Sequence, residues 1–331
     1  MNLDARELAA SFDLEKLTPE FYANPYPTYR ALRENEPVKR LPNGSYFLTR
    51  YDDLVAAYKN TRTFSSDKKK EFSPKYGDSL LYEHHTTSLV FNDPPAHTRV
   101  RRLIMGALSP RAIAGMEPDL VALVDRLLDT LAAKGNVDLI EDFATAIPIE
   151  VIGNLLDVPH EERGPLRDWS LAILGALEPV IGPDVFARGN KAVKDFLAYL
   201  EVLVARRRAK PGNPDRDVLT RLIQGEDDGE RLTEKELLHN CIFLLNAGHE
   251  TTTNLIGNGL VALLDHASEK QRLIENPALI KTAVEEMLRF ESSNQLGNRM
   301  TVEPLELGGI AMPPISTGWT IMRLPSWFEL S

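Results

Sequence analysis

The sequence predicts a mainly α-helical protein with a small β region. Three observations carry that expectation. Apolar residues recur at helical spacing over long stretches, most clearly in Leu120, Leu123, Val124, Leu127, Leu128 and Leu131. Loops rich in proline and glycine punctuate those stretches. Strand signals are few. With 331 residues, 43% of them hydrophobic, the chain can build a large core. No repeat, low-complexity tract or Pro/Ser-rich linker divides it.

In chain order, the first strand signal is 45–49, directly after the turn cluster Pro42-Asn43-Gly44. Next comes Asp93-Pro94-Pro95-Ala96-His97, which reads as a helix opening with an Asp cap and prolines in the first turn. Val100, Leu103, Ile104, Ala107 and Leu108 form its apolar stripe. His97 and Arg101, four apart, flank that stripe, while Arg99 and Arg102 point away from it. Charges at a core edge need partners, and a buried anionic ligand is one candidate; ordinary ion pairs are the other. Further helices are expected at 149–156, 166–177, 185–207, 218–223 and 278–290, and a second strand at 305–312.

The segment 237–264 is apolar nearly all round, the pattern of a helix buried on every side. Its centre breaks the rule with Ala247-Gly248-His249-Glu250-Thr251-Thr252-Thr253-Asn254. Glycine and three β-branched hydroxyl residues are poor helix-interior choices, and such local inconsistency marks functional positions. Thr251 is spaced to bond back to the carbonyl of Ala247 and bend the helix. Gly248 leaves room for a ligand against the backbone. Glu250 and Thr251 make an acid–alcohol pair able to relay protons. The bland alternative is a core helix with satisfied threonines.

Charge narrows the function. There are 48 acidic and 38 basic residues, net charge −10, and no sustained basic stripe, which argues against nucleic-acid binding. The runs Lys68-Lys69-Lys70 and Arg206-Arg207-Arg208 are short and read as solvated faces or loops. A single cysteine, Cys241, allows no internal disulfide and fits a reducing compartment. The N-terminus has no apolar signal core and no run approaches a membrane span, so a cytoplasmic protein without a membrane partner is expected.

The string Ala-Gly-His-Glu-Thr-Thr at 247–252 resembles the oxygen-binding motif of the cytochrome P450 family, the heme-thiolate monooxygenases. Other matches follow in family order from about Phe21 to Pro313. The segment at 93–103 resembles the helix whose His and Arg hold the heme propionates, which implies that role for His97 and Arg101. Glu286 and Arg289 match the structural Glu-x-x-Arg pair, which the family covers with a later loop. By spacing alone that pair lies opposite the stripe Ile280, Val284, Met287 and Leu288 and should be solvated. Arg299 matches a further propionate-binding arginine. The resemblance implies a soluble bacterial-type fold with heme b and a ferredoxin-type electron donor. It implies oxygen insertion into a small apolar organic substrate, with Ala247 and Gly248 against the heme and Glu250 and Thr251 delivering protons.

The resemblance is expected to stop at Pro313. Residues 1–313 read as a cytochrome P450-like domain and 314–331 as an unrelated tail, translated out of frame. A Phe-x-x-Gly-x-His-x-Cys-x-Gly loop, whose thiolate is the family's axial ligand, does not occur in the 331 residues. About a fifth of a family-length chain would follow it. Cys241 is no substitute: it lies ten residues before Thr251, roughly 15 Å along the same helix, and the resemblance places that helix on the oxygen side. It reads as a small buried apolar residue. His84-His85 reads as a surface or pocket-rim pair. The chain as it stands is therefore expected to be inactive. A pseudogene-type remnant and a non-catalytic α-helical binding protein remain as alternatives, and the substrate is not specified by the sequence.

Overall fold

The structure is a computed structural model that describes residues 4–108, 110–214, 217–225, 229–314 and 317–321. The chain forms two compact units. One takes both chain ends, residues 1–67 and 294–331; the other is the continuous stretch 68–293.

The first unit begins with α1 (Ala5–Ser11), α2 (Pro19–Ala23) and α3 (Tyr26–Asn35). Asp4 and Glu7 close a capping box on α1. Strands β1 (Val38–Arg40) and β2 (Tyr46–Leu48) follow, then α4 (Tyr51–Lys59) and β3 (Phe64–Ser65). The far end of the chain adds β4 (Leu296–Thr301), β5 (Leu305–Leu307), β6 (Ile310–Met312) and β7 (Thr317–Ile321). The main sheet has the order β1-β2-β7-β4-β3. In it β7 runs parallel to β2, with Phe47 opposite Trp319, and antiparallel to β4, with Asn298 opposite Trp319. The strand expected over 305–312 is instead the hairpin β5–β6, because Gly308 and Gly309 take φ of +58° and +80° and turn the chain. Phe12, Tyr29, Leu32 and Phe47 make one core of this unit; Val38, Leu48, Leu54, Phe64 and Met312 make another.

The second unit is helical: α5 (Lys69–Tyr76), α6 (Leu80–Thr87), α7 (Ala96–Ala107), α8 (Pro110–Ala114), α9 (Glu117–Lys134), α10 (Ala146–Leu155), α11 (Leu166–Gly175), α12 (Pro183–Ala209), α13 (Val218–Gln224), α14 (Glu234–Asp265), α15 (Ala267–Glu275) and α16 (Ile280–Phe290). The long helix α14 starts in a capping box between Thr233 and Glu236. Its first half, with Leu237, Cys241, Ile242 and Leu245, is buried against α12, α11 and α10, where Phe196, Leu200 and Ile173 complete the core.

Four expectations change here. Helix α7 begins at Ala96 with Pro95, not Asp93, at its cap position, and the Asp93 contribution is its backbone carbonyl, which accepts from His97 N. Helix α14 is not buried all round: Val261 and Leu264 in its second half are exposed. Lys68, read as a solvated charge, is 1% exposed and pairs with Glu71 at 2.9 Å. His84 and His85, read as a rim pair, are core residues at 2% and 1% exposure. For the two histidines, neighbours from other helices supply the burial, Phe72 and Tyr76 of α5 and His239 of α14. Among the described residues no helix is long and apolar enough to cross a membrane.

Candidate functional site

The unusual centre of α14 lies where the helix passes from core to open surface. Ala247 is exposed, and Gly248, Glu250, Thr251 and Thr252 are half-buried. Thr251 Oγ1 donates to the carbonyl of Ala247 at 2.6 Å, the bond that its spacing predicts. Thr253 repeats it on His249, at 3.0 Å. Two back-bonding threonines, at 251 and 253, compete with the helix's own ladder at this point.

Gly248 also meets a neighbouring helix: a Cβ there would lie 2.7 Å from Cδ1 of Ile152 on α10, so any side chain at 248 requires the end of Ile152 to shift. The same reasoning applies to Gly259, which faces Met287 of α16.

Glu250 is held above the usual carboxylate range, first by burial and second by the carboxylate of Glu178. Sequence reasoning missed Glu178. It follows α11 and its carbonyl accepts from Lys75 Nζ at 2.5 Å. His249 is buried, and neither ring nitrogen has a hydrogen-bond partner. Burial, then the Arg167 guanidinium, push it down to about 4, so the ring is neutral near pH 7.

On α7 the four basic residues divide by partner and not as their spacing predicts: Arg99, expected to point away from the core, is half-buried, and Arg101, expected at the core edge, is exposed. Arg99 pairs with Glu236 and donates to the carbonyl of Arg231 at 3.2 Å; Arg102 pairs with Glu230 at 3.3 Å. His97, half-buried, and Arg101, exposed, have no side-chain partner among the described residues. His97 lines a cleft of about 300 Å³ together with Thr86, Thr87, Asn92, Lys235 and Glu236.

Glu286 and Arg289 on α16 form a bidentate pair at 2.6 and 2.7 Å, and both side chains are largely exposed. That is the solvated arrangement that spacing predicts, not the covered one that the resemblance implies. Arg299 belongs to the other unit. Its guanidinium lies 4.5 Å over the Tyr58 ring and donates to the carbonyl of Asn298 at 2.8 Å.

Cys241 is wholly buried in α14, and burial pushes its thiol up to about 12. It is a neutral core side chain, far from the thiolate that a metal needs. Among the described residues no group of three or more His, Cys, Asp or Glu is placed to hold a metal.

Known proteins bear on this arrangement. The family model described as Cytochrome P450 matches residues 174–322, a stretch that includes β7. The Vitamin D(3) 25-hydroxylase of Pseudonocardia autotrophica is 37% identical over 298 residues, covering 88% of this chain and 71% of that protein. The chain belongs to the cytochrome P450 family. The biotin biosynthesis cytochrome P450 of Bacillus subtilis (strain 168) is 33% identical over 296 residues, with 88% and 73% covered. Among solved structures, P450BioI in complex with a hexadec-9Z-enoic acid ligated acyl carrier protein superposes with a TM-score of 0.86 at 32% identity. That superposition covers 93% of this cytochrome P450 chain and 79% of the other. The mainly helical fold is thus the cytochrome P450 fold, in a family of heme-binding monooxygenases.

The residues on the oxygen side fit such a group. A flat apolar macrocycle with carboxylates needs an open helix face and free cations. Exposed Ala247 on α14 offers the face, Arg101 offers a cation and His97 a ring N–H donor, neither with a side-chain partner among the described residues.

Proposed function

We propose that these 331 residues form the oxygen-side part of a cytochrome P450 monooxygenase acting on a small apolar organic substrate, and that by themselves they are catalytically silent. The observation that carries the second half is Cys241: the only thiol in the chain is buried and neutral within the oxygen-side helix. A thiolate would have to come from outside residues 1–331.

When bound, heme b supplies the redox chemistry that activates dioxygen, with electrons from a ferredoxin-type donor. The chain's own residues hold and prepare. His97 and Arg101 take the propionates, and by resemblance so does Arg299. Ala247 and Gly248 give the macrocycle a flat helix face. Glu250, raised by burial and by Glu178, holds a proton closer to neutrality than an ordinary carboxylate does. Thr251 donates its own hydroxyl hydrogen to Ala247, so its oxygen presents lone pairs that accept a hydrogen bond from a proton carrier. Glu286 and Arg289 are structural.

The test is reconstitution of the purified 331-residue chain with heme and carbon monoxide under reduction. The expected result is no thiolate-type absorption band and no turnover with a competent reductase. A thiolate band that disappears in Cys241→Ser would overturn the assignment.

A further inference from the structure

We propose that His84, His85 and His239 form an acid-sensitive latch that fastens α6 to α14 and opens as pH falls. The histidines are almost fully buried and mutually close: ring centroids are 5.1 Å apart for His84–His85 and 5.5 Å for His84–His239.

Hydrogen positions follow from the partners. His239 Nε2 lies 3.2 Å from Glu83 Oε1, and a carboxylate only accepts, so Nε2 carries the proton. A neutral His239 then presents a lone pair at Nδ1. That atom faces His84 Nδ1 at 3.4 Å, so His84 must supply the hydrogen from Nδ1. Ser88 agrees with this. Its hydroxyl donates to the His84 carbonyl at 2.7 Å, which leaves a lone pair 3.4 Å from the same Nδ1–H. The doubly neutral state with these tautomers satisfies the chain Glu83–His239–His84–Ser88. Adding a proton to His239 either sets two N–H groups against each other or forces the His84 proton over to Nε2, and in both cases it puts a charge into a dry interface.

Every charged group facing the cluster can be named. Glu83 and Lys235 face His239, with Lys235 Nζ 3.1 Å from Glu83. Lys75 of α5 acts on His85, whose ring packs on Phe72, Tyr76 and Phe91. Asn190 of α12, which accepts from Leu81 N, is uncharged. Burial dominates at all three rings and holds each below the ordinary histidine range, His85 at about 3.

The sign follows. Each ring is neutral when the latch is closed and ordinary when it is open. Closing is therefore fully favoured above about pH 6.5 and weakens as pH falls below it, up to tenfold per unit per histidine. Helix α6 also supplies Thr86 and Thr87 to the cleft beside His97, and Lys235 stands at its rim, so opening removes one wall of that cleft.

Hydrogen exchange of the full chain between about pH 6.5 and pH 5 tests the latch. Protection of amides 80–91 should fall more than tenfold per unit, while α12 amides keep theirs. In the double variant His84→Gln, His239→Gln, only His85 remains and the fall should be at most tenfold per unit. Equal steepness in the double variant, or loss of α12 protection in step with 80–91, overturns the proposal. Should the double variant not fold, nitrogen NMR of the wild-type rings decides: His84 must be protonated at Nδ1 and His239 at Nε2. The opposite tautomer at His84, or a charged ring at neutral pH, equally overturns it.

Discussion

Cδ1 of Ile152 lies 2.7 Å from the position that a Cβ on Gly248 would occupy. The oxygen-side helix is therefore set by a side chain from α10 as much as by its own motif. Alanine at 248 gains about 1 kcal/mol in helix propensity but overpacks the junction, at about 1–3 kcal/mol. We expect Gly248→Ala to lower stability by about 1 kcal/mol, and Ile152→Val to relieve that loss. A double-mutant cycle by urea unfolding should give a coupling of at least about 0.5 kcal/mol; independent effects would refute the contact.

The hydroxyl of Thr251 is expected to matter for chemistry more than for folding. In a chain that also carries the thiolate segment, Thr251→Ala should keep substrate binding but divert reduced oxygen to peroxide. The check is peroxide formed per product made. Glu250→Gln should slow turnover with a smaller effect on substrate affinity, because it removes a proton carrier rather than a binding group. Unchanged coupling in Thr251→Ala would remove Thr251 from the relay.

Acid lability should also reside in Glu162. Hydrogen bonds from Arg206, at 2.7 Å on both arms, and from Tyr199, at 2.7 Å, hold its carboxyl down at about 2. A depressed carboxyl stabilises the fold above its unfolded value, and that contribution is lost as pH falls from about 4.5 toward the folded value. The stability gap between wild type and Glu162→Gln should therefore be open at pH 6 and nearly closed at pH 2. A gap independent of pH would show that the bonds are not charge-assisted.

Several large apolar side chains on three successive helices of the helical unit are exposed. Val261 and Leu264 on α14, Ile274 on α15, and Ile280, Val284 and Leu288 on α16 are all exposed. Patches of several hundred Å² mark uncovered interaction surfaces. At roughly 25 cal/mol per Å² such an area forgoes several kcal/mol, a large part of a domain's usual 5–15 kcal/mol. The purified chain should bind an apolar dye and aggregate on warming, and Ile280→Lys with Val284→Lys should reduce both. A sharp, cooperative transition without dye binding would contradict this.

Helical periodicity made most of this fold legible. The expected helix at 166–177 is α11 (Leu166–Gly175), that at 218–223 is α13, and the 237–264 segment is α14. Burial of Cys241 and the Thr251–Ala247 bond were equally local matters. The failures share one cause. His84 and His85 carry polar labels, yet His239 from α14 packs on the first and the aromatic rings of Phe72, Tyr76 and Phe91 enclose the second. At Gly308-Gly309 the apolar pattern ran on while backbone conformation turned. Of residues 314–331, only 314 and 317–321 lie within the described set, so the reading of that stretch as an unrelated tail largely lies outside it.

Strand β7 fills the gap between β2 and β4, and its partner β2 lies some 270 residues earlier in the chain. During synthesis β1 and β2 emerge first, and β2 must wait with one edge unpaired while the whole helical unit is made. The protein is thus assembled as a nested insertion: residues 68–293 can collapse on local contacts, whereas the sheet closes only once β7 has been translated. A ribosome that stalls or a protease that clips before Thr317 would leave two complementary strand edges bare at once, and self-association would begin there.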